Sequence, residues 1–444
     1  MMTRHDTVRA ALAFALLTGA ATATATAQEA GAPAAVDIED IRTMDLDQAL
    51  ELARENAPAL IQSQSALEIA RHGELSAWGS FLPQASLSYG YSNSSSGRLD
   101  PAGQQFATTN YSAQLRGSID IFQGGRRFNQ LKEARLGVDA SRAQHRQSWY
   151  ATAEAVKVAY YNAVANRELV RVEADRVQRQ EDQLSFVRQQ LELGRATRSD
   201  VLRSQVDLNN ARVALLNAEN AERASTYTLA ESVGLGEPLA PAEEAELEAD
   251  VMVPSRSAVL SRAMAGAPPL VSARAETRAS TAAVASAKSA YLPTLSLSGG
   301  WAWSNTDFPP EDRSWSLSLS GSLPLFNGFS RETQVYSAEA RRDQAEAEER
   351  ATELSLRSDL DSAFGTIEAA VASIDLAEQT VELSAEDLRV TRERYRLGLA
   401  TILDLQSAQI TLRQAEVDLI QRRFDYRIGI ARLEAILGGE LSGE

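Results

Sequence analysis

Residues 315–325 read WSLSLSGSLPL, with Trp315, Leu317, Leu319, Leu323 and Leu325 on odd positions and Ser316, Ser318, Ser320 and Ser322 on even ones. Side chains of a β-strand alternate between two faces, so this stretch is a strand with one apolar and one hydroxylated face. A soluble antiparallel sheet lying on a core produces that pattern. So does a tilted strand crossing a bilayer, which needs roughly ten residues. The choice between them decides the fold.

Three further segments alternate in the same way. Ala85, Leu87, Tyr89 and Tyr91 interleave with Ser86, Ser88, Gly90 and Ser92. Tyr111, Ala113, Leu115, Gly117, Ile119 and Ile121 interleave with Ser112, Gln114, Arg116, Ser118 and Asp120. Leu295, Leu297, Gly299, Trp301 and Trp303 interleave with Ser296, Ser298, Gly300, Ala302 and Ser304. Tyr91, Tyr111, Trp301, Trp303 and Trp315 gather toward the loop ends, where an aromatic girdle at a membrane interface belongs. No apolar segment is left over to cover the sheet. The chain also opens on an export signal: Arg4 and Arg9, the apolar core ALAFALLTGA, and small residues ending at Ala27. These three observations favour lipid over a soluble core. The signal's core is too short to span a bilayer, and no run of 18 apolar residues occurs elsewhere.

The strands come in two copies. SFLPQASLSYGY (80–91) matches AYLPTLSLSGGW (290–301), and YSAQLRGSIDIFQGGRR (111–127) matches WSLSLSGSLPLFNGFSR (315–331). From the second pair onward the offset stays at 204, as far as Gly234 and Gly438. A repeat over nearly the whole mature chain is a tandem duplication. The expected domains are a signal peptide over 1–27, repeats over 40–236 and 257–438, and an acidic, proline-bearing linker over 237–256.

After each strand pair comes a long helix. No Pro or Gly occurs between Val138 and Leu193, and Val156, Ala163, Val170, Val177, Leu184 and Leu191 recur every seven residues. Leu360, Ile367, Ile374, Val381, Leu388 and Tyr395 repeat the stripe in the second copy. The returning helix carries Leu405, Leu412, Leu419, Tyr426 and Leu433, with a second stripe at Leu403, Ile410, Val417 and Phe424. A period of seven means helices packed side by side, and two stripes on one helix mean a neighbour on each side.

Between the helices stand LGRATRSD (193–200) and LGLATILD (397–404). Gly194 and Gly398 are placed to end a helix in the left-handed conformation. Thr197 and Thr401 are N-cap candidates, each with an Asp three residues on, a capping box that satisfies free amides. Each motif is therefore a tight reversal between antiparallel helices.

Removing residues 1–27 takes away Arg4, Arg9 and Asp6 and leaves a net charge of −17. That balance argues against nucleic acid as a partner, because it repels phosphates. Cysteine is absent, which excludes disulfides and thiolate metal sites. His72 and His145 stand alone, and the carboxylates are spread among arginines along helix faces, so no catalytic or metal-binding constellation is present. No cofactor is expected. Four strands cannot close a barrel, and an open sheet edge in lipid leaves backbone groups unpaired at several kcal/mol each. Two chains would give eight strands around a filled interior, and three would give twelve, wide enough for a channel. The chain is expected to be an obligate oligomer.

The succession FLP to strand, a strand ending Phe122-Gln123-Gly124-Gly125-Arg126, a long helix, LG-x-AT…D and a return helix, all duplicated, resembles the TolC-type outer membrane efflux protein family. The second copy departs from the pattern at Phe329, where a Gly is usual. The resemblance implies an α+β membrane protein with four transmembrane β-strands per chain. These would form a shared 12-stranded barrel in a homotrimer, continued by a long α-helical coiled-coil tunnel in the periplasm. It implies a passive channel of a tripartite efflux or type I secretion system, anchored in outer membrane lipid. The expected partners are a periplasmic adaptor protein and an inner membrane pump of the resistance-nodulation-division (RND) or ATP-binding-cassette (ABC) type. Leu193, Gly194, Ala196, Thr197, Leu397, Gly398, Ala400 and Thr401 would dock the adaptor. Asp404, with Asp200, Tyr395 and Arg198, would form the gate, although Asp200 and Asp404 also read as helix caps and Tyr395 as core. The rival reading is a periplasmic coiled-coil scaffold or adaptor with a soluble β domain.

Overall fold

The computed structural model describes residues 42–99, 106–243, 245, 247 and 254–441, so the export signal lies outside the described residues. In the first half the elements are β1 (Arg42–Met44), α1 (Leu46–Asn56), α2 (Pro58–Gly79), β2 (Gln84–Leu99), β3 (Phe106–Gln123), α3 (Arg126–Glu192) and α4 (Arg198–Val233). In the second half they are β4 (Leu239–Pro241), α5 (Arg256–Gly266), α6 (Pro268–Lys288), β5 (Thr294–Asn305), β6 (Asp312–Ser322), α7 (Ser330–Arg396) and α8 (Ile402–Leu437). Among the described residues no helix is long and apolar enough to cross a membrane.

Alternation builds a four-stranded sheet in the order β2-β3-β5-β6, antiparallel throughout. Register keeps the faces apart: Leu87, Leu115, Trp301 and Trp315 are successive partners, and so are Ser86, Arg116, Gly300 and Ser316. The apolar face is bare in the protomer, with Leu87 74 % and Leu317 68 % exposed. The first hairpin is longer than the alternation indicates. β2 has 16 residues and β3 has 18, because polar residues such as Ser92 and Asn93 continue the backbone ladder past the apolar stretch.

α3 and α7 have 67 residues each, about 100 Å at 1.5 Å per residue. α3 starts earlier than the Gly-free stretch, at Arg126, and runs through Gly137. Buried Leu131 and Val138 flank that glycine and offset its cost of about 1 kcal/mol. Next to the sheet, α2 packs on α3, α3 on α6 and α6 on α7, the same order as the strands that precede or follow them. Farther along, α4 packs on α3, α3 on α8 and α8 on α7. The protomer is thus a wall four elements wide, with α2, α4 and β2 along one edge and α7 and β6 along the other.

Three apolar clusters hold the wall. Val156, Tyr160 and Val164 of α3 pack with Ala49 and Ala53 of α1 and Leu229 and Val233 of α4. Leu360, Phe364 and Ile367 of α7 pack with Tyr426 and Leu433 of α8. Val187 of α3 meets Leu388 of α7 and Leu405 of α8 near the reversals. The stretch 237–256 is more than a linker. β4 pairs in parallel with β1, and Leu239 and Leu247 are buried. Arg167 donates to the carbonyls of Pro241 and Ala242 at 3.3 and 2.7 Å and also to that of Ala245.

Candidate functional site: two helix reversals and a lipid-facing sheet

The reversals form as the residue order requires. At the end of α3 the Arg195 amide donates to Gln190 O at 2.8 Å and the Gly194 amide to Leu191 O at 2.9 Å. At the end of α7 the Leu399 amide donates to Arg394 O at 2.7 Å and the Gly398 amide to Tyr395 O at 3.0 Å. Both are Schellman closures with left-handed glycines, at φ 69° and 74°. Space is not the reason for glycine, since an added Cβ would meet nothing within 4 Å at either position. The reason is the sign of φ.

The capping boxes follow directly. Asp200 Oδ2 accepts from the Thr197 amide at 2.8 Å and its hydroxyl at 2.7 Å, while Thr197 Oγ1 accepts from the Asp200 amide at 3.2 Å. Asp404 and Thr401 repeat this at 2.8, 2.8 and 3.2 Å. Asp404 is exposed, and the Thr401 amide and then its hydroxyl hold the carboxylate below its ordinary value, with Arg394 adding to the effect. Tyr395 is half-buried against Phe186, ring centroids 6.1 Å apart, and burial followed by the charge of Asp200 pushes its phenol up. Arg198 is exposed. Leu193 and Leu397 are 65 % and 73 % exposed, and Ala196 and Ala400 are half-covered beside them. The two reversals sit together, joined through Val187, Leu388, Leu405, Ala196 and Val201.

At the other end, the tyrosines and tryptophans share the apolar face in neighbouring rungs. Tyr91 is the partner of Tyr111, and Trp301 is the partner of Trp315. Trp303 lies one same-face rung from each, paired with Ala113 and Arg313. Because β2 and β3 run on beyond them, Tyr91 and Tyr111 stand level with the tip of the β5–β6 hairpin, inside their own hairpin and away from its loop. Phe308, from the β5–β6 connection, packs on Tyr111 at 5.7 Å and on Tyr89 at 6.3 Å, which alternation alone did not indicate.

Where strands meet helices, Arg127 and Arg331 tie the two together. Arg126 is exposed and, among the described residues, bonds only Gln123. Arg127 instead donates to Ser80 O and Ile121 O, both at 3.1 Å, and lies 4.9 Å over the Phe81 ring. Arg331, at the matching place in the second half, donates to Pro324 O at 2.8 Å and Leu325 O at 3.2 Å, over Tyr291. Trp78, Phe81 and Phe128 cluster at one junction, and Phe326 and Phe329 at the other. Phe81 and Phe326 were legible only as repeat markers, through FLP and F-x-G, and Trp78 and Phe128 carried no sequence signal.

A sheet with an uncovered apolar face, carried on helices about 100 Å long that end in capped reversals, is the geometry of a channel protein of the outer membrane. Residues 49–235 and 259–439 match the outer membrane efflux protein family, and the chain belongs to it. It is 27 % identical to Protein CyaE of Bordetella pertussis over 69 % of this chain and 65 % of that protein's length. It is 24 % identical to outer membrane protein TolC of Vibrio cholerae, over 87 % and 89 % of the two chains. A crystal structure of a membrane protein from Pseudomonas aeruginosa superposes with a TM-score of 0.78 at 21 % identity, covering 90 % of this chain and 91 % of the other. The protein sits in the outer membrane and extends into the periplasm, which removes the soluble scaffold reading.

Proposed function

We propose that three copies of this chain share one twelve-stranded barrel and a helical tunnel, and that the assembly is the passive exit duct of a tripartite efflux or type I secretion system. The observation that carries this reading is the pair of open edges. α4 exposes Val206, Val213 and Leu216 at 56 to 59 %, and α7 exposes Leu376, Leu383 and Val390 at 62, 72 and 41 %. Val206 and Val213 on one edge, with Leu216 three residues on, and Leu376, Leu383 and Val390 on the other follow heptad spacing, that of a helix that expects another beside it. β2 and β6 are sheet edges on the same two sides, and lipid does not tolerate open edges. Joining one copy's α7 and β6 to the next copy's α4 and β2 satisfies both, and three copies leave a bore.

The equal lengths of α3 and α7, and of α4 and α8, support residues 40–236 and 257–438 as two copies of one unit. The exposed reversals, Leu193 to Thr197 and Leu397 to Thr401, are the surface offered to a periplasmic adaptor, and an inner membrane RND or ABC pump supplies the energy. Asp404, exposed and ionised, would place three carboxylates around the entrance, with Asp200, Tyr395 and Arg198 holding the neighbouring coil. Tyr91, Tyr111, Trp301, Trp303 and Trp315 form the outer aromatic girdle. Trp78, Phe81, Phe128, Tyr291, Phe326 and Phe329 form the inner one.

Extracted from outer membranes in detergent, the chain should have the native mass of a trimer, and in planar bilayers it should open discrete channels. A monomer that conducts nothing would end this reading.

A further inference from the structure

The polar face of the sheet carries few charges. Among the described side chains of that face they are Arg116 and Asp120 on β3 and Asp312 at the outer end of β6. Asp120 accepts from Gln123 Nε2 at 2.5 Å, near the helix junction. Asp312 pairs with Ser304 at the far rung. Arg116 lies between them, opposite Ser86 on β2 and Gly300 on β5, with Ser316 next across the sheet.

No side chain on the neighbouring strands covers Arg116. A Cβ at position 300 would come within 2.2 Å of Leu115 O and 3.1 Å of Arg116 Cα, so that place holds a glycine, and the flanking serines are too short to cover a guanidinium. The arginine is exposed and has no hydrogen bond or ion pair among the described residues. The arginines at the junctions are all engaged: Arg126 with Gln123, Arg127 with two carbonyls, Arg135 with Glu74 and Arg331 with two carbonyls. A charge at membrane depth persists where it faces water, and it then marks a solute path.

We propose that Arg116 is an oxyanion-binding, charge-selecting residue of the exit barrel. The inference rests on the shared barrel proposed above and deepens it. In the trimer, three guanidiniums ring the middle of a bore lined mostly by serine, glycine and glutamine, between Asp120 at the helix end and Asp312 at the outer end, far from the Asp404 carboxylates of the entrance. Each guanidinium presents a planar fork that matches carboxylate, phosphate or sulfonate groups bidentately. The ring draws such groups outward and disfavours cations, so solutes bearing an oxyanion are the class it passes most readily.

The test is made on wild-type protein and the Arg116→Ser, Arg116→Gln and Arg116→Lys variants in planar bilayers. Inorganic pyrophosphate is added on the barrel side, and reversal potentials are read in a potassium chloride gradient. Wild type and Arg116→Lys should favour anions more than Arg116→Ser and Arg116→Gln do. That gap should narrow at 1 M salt, where the screening length falls to about 3 Å. Pyrophosphate should reduce wild-type current, and the two uncharged variants should need about tenfold more for the same reduction, the loss of one charged hydrogen-bonded contact. Arg116→Lys should fall between, keeping the charge without the fork. If Arg116→Ser does not assemble, Arg116→Gln carries the comparison. Channels of normal conductance whose selectivity and pyrophosphate response do not change on losing Arg116 would overturn this inference and leave the barrel standing. Wild-type protein that forms no channels would overturn the barrel, and the inference with it.

Discussion

The carboxylate of Asp404 accepts from both the amide and the hydroxyl of Thr401 at 2.8 Å, and those donors favour its charged form. A carboxyl group held below its ordinary value contributes stability above its unfolded value, near pH 4. That contribution is lost as pH falls through the lower, folded value. Amides of residues 402–405 should therefore exchange faster with solvent in Asp404→Ala than in wild type at pH 7, and the two should converge under acid. Cation block of the channel should weaken in the same variant, and unchanged block would leave Asp404 a cap and nothing more. Phe329 presents a different problem. Among the described residues it is the one non-glycine residue with positive φ, at 64°, where Gly125 stands at 81° in the first half. A side chain there costs about 1–2 kcal/mol, so Phe329→Gly should raise the midpoint of heat-induced unfolding in detergent. Phe329→Ala keeps the strain, loses the ring contact with Phe326 at 5.6 Å, and should lower it.

The seam between α3 and α8 shows what an element contributes beyond its residues. Glu173, Gln180 and Val187 lie seven apart and are all buried, yet the first two are polar. Glu173 accepts from Arg176 at 3.1 Å and Arg413 at 2.6 Å, and Gln180 donates to Gln409 at 2.9 Å. Lys157 meets Glu434 at 2.5 Å, and Gln406 bonds Asp207 of α4. The hairpins α3–α4 and α7–α8 are closed within themselves by apolar contacts and joined to each other in large part by a polar ladder. Glu173→Ala would leave two guanidiniums unmatched beside a buried site, at a cost of about 3 kcal/mol. Thermal unfolding should show that loss, and replacing Glu173 and Arg413 together by Leu should recover much of it. A search for apolar stripes passes over this seam, because its period is carried by Glu and Gln.

At the scale of the molecule, the two open edges make a prediction about assembly. Val213 and Leu383 are 57 % and 72 % exposed in the protomer, so a charge at either harms nothing within the chain. Val213→Glu and Leu383→Glu should keep helical content while the native mass falls to that of a monomer. A trimer surviving both changes would place the subunit contact elsewhere. Much of this architecture is legible in alternation and heptads, because β-strands and long helices are periodic and periodicity is written locally. The stretch between the repeats shows the complementary limit. Its prolines and acids look like a tether, and only the arrival of β1, Arg167 and α4 from far away buries Leu239 and Leu247.

By itself the sequence determined the strands, the helices and the reversals between them, since alternation, heptads, left-handed glycines and Thr–Asp caps all act within a few residues. Tertiary structure decided which helices are neighbours, that a buried seam is polar, that Arg127 ties strand to helix, and that Arg116 stands exposed without a partner among the described residues. Those outcomes depend on contacts between residues some fifty to three hundred positions apart, and no local pattern encodes which of many compatible faces will meet.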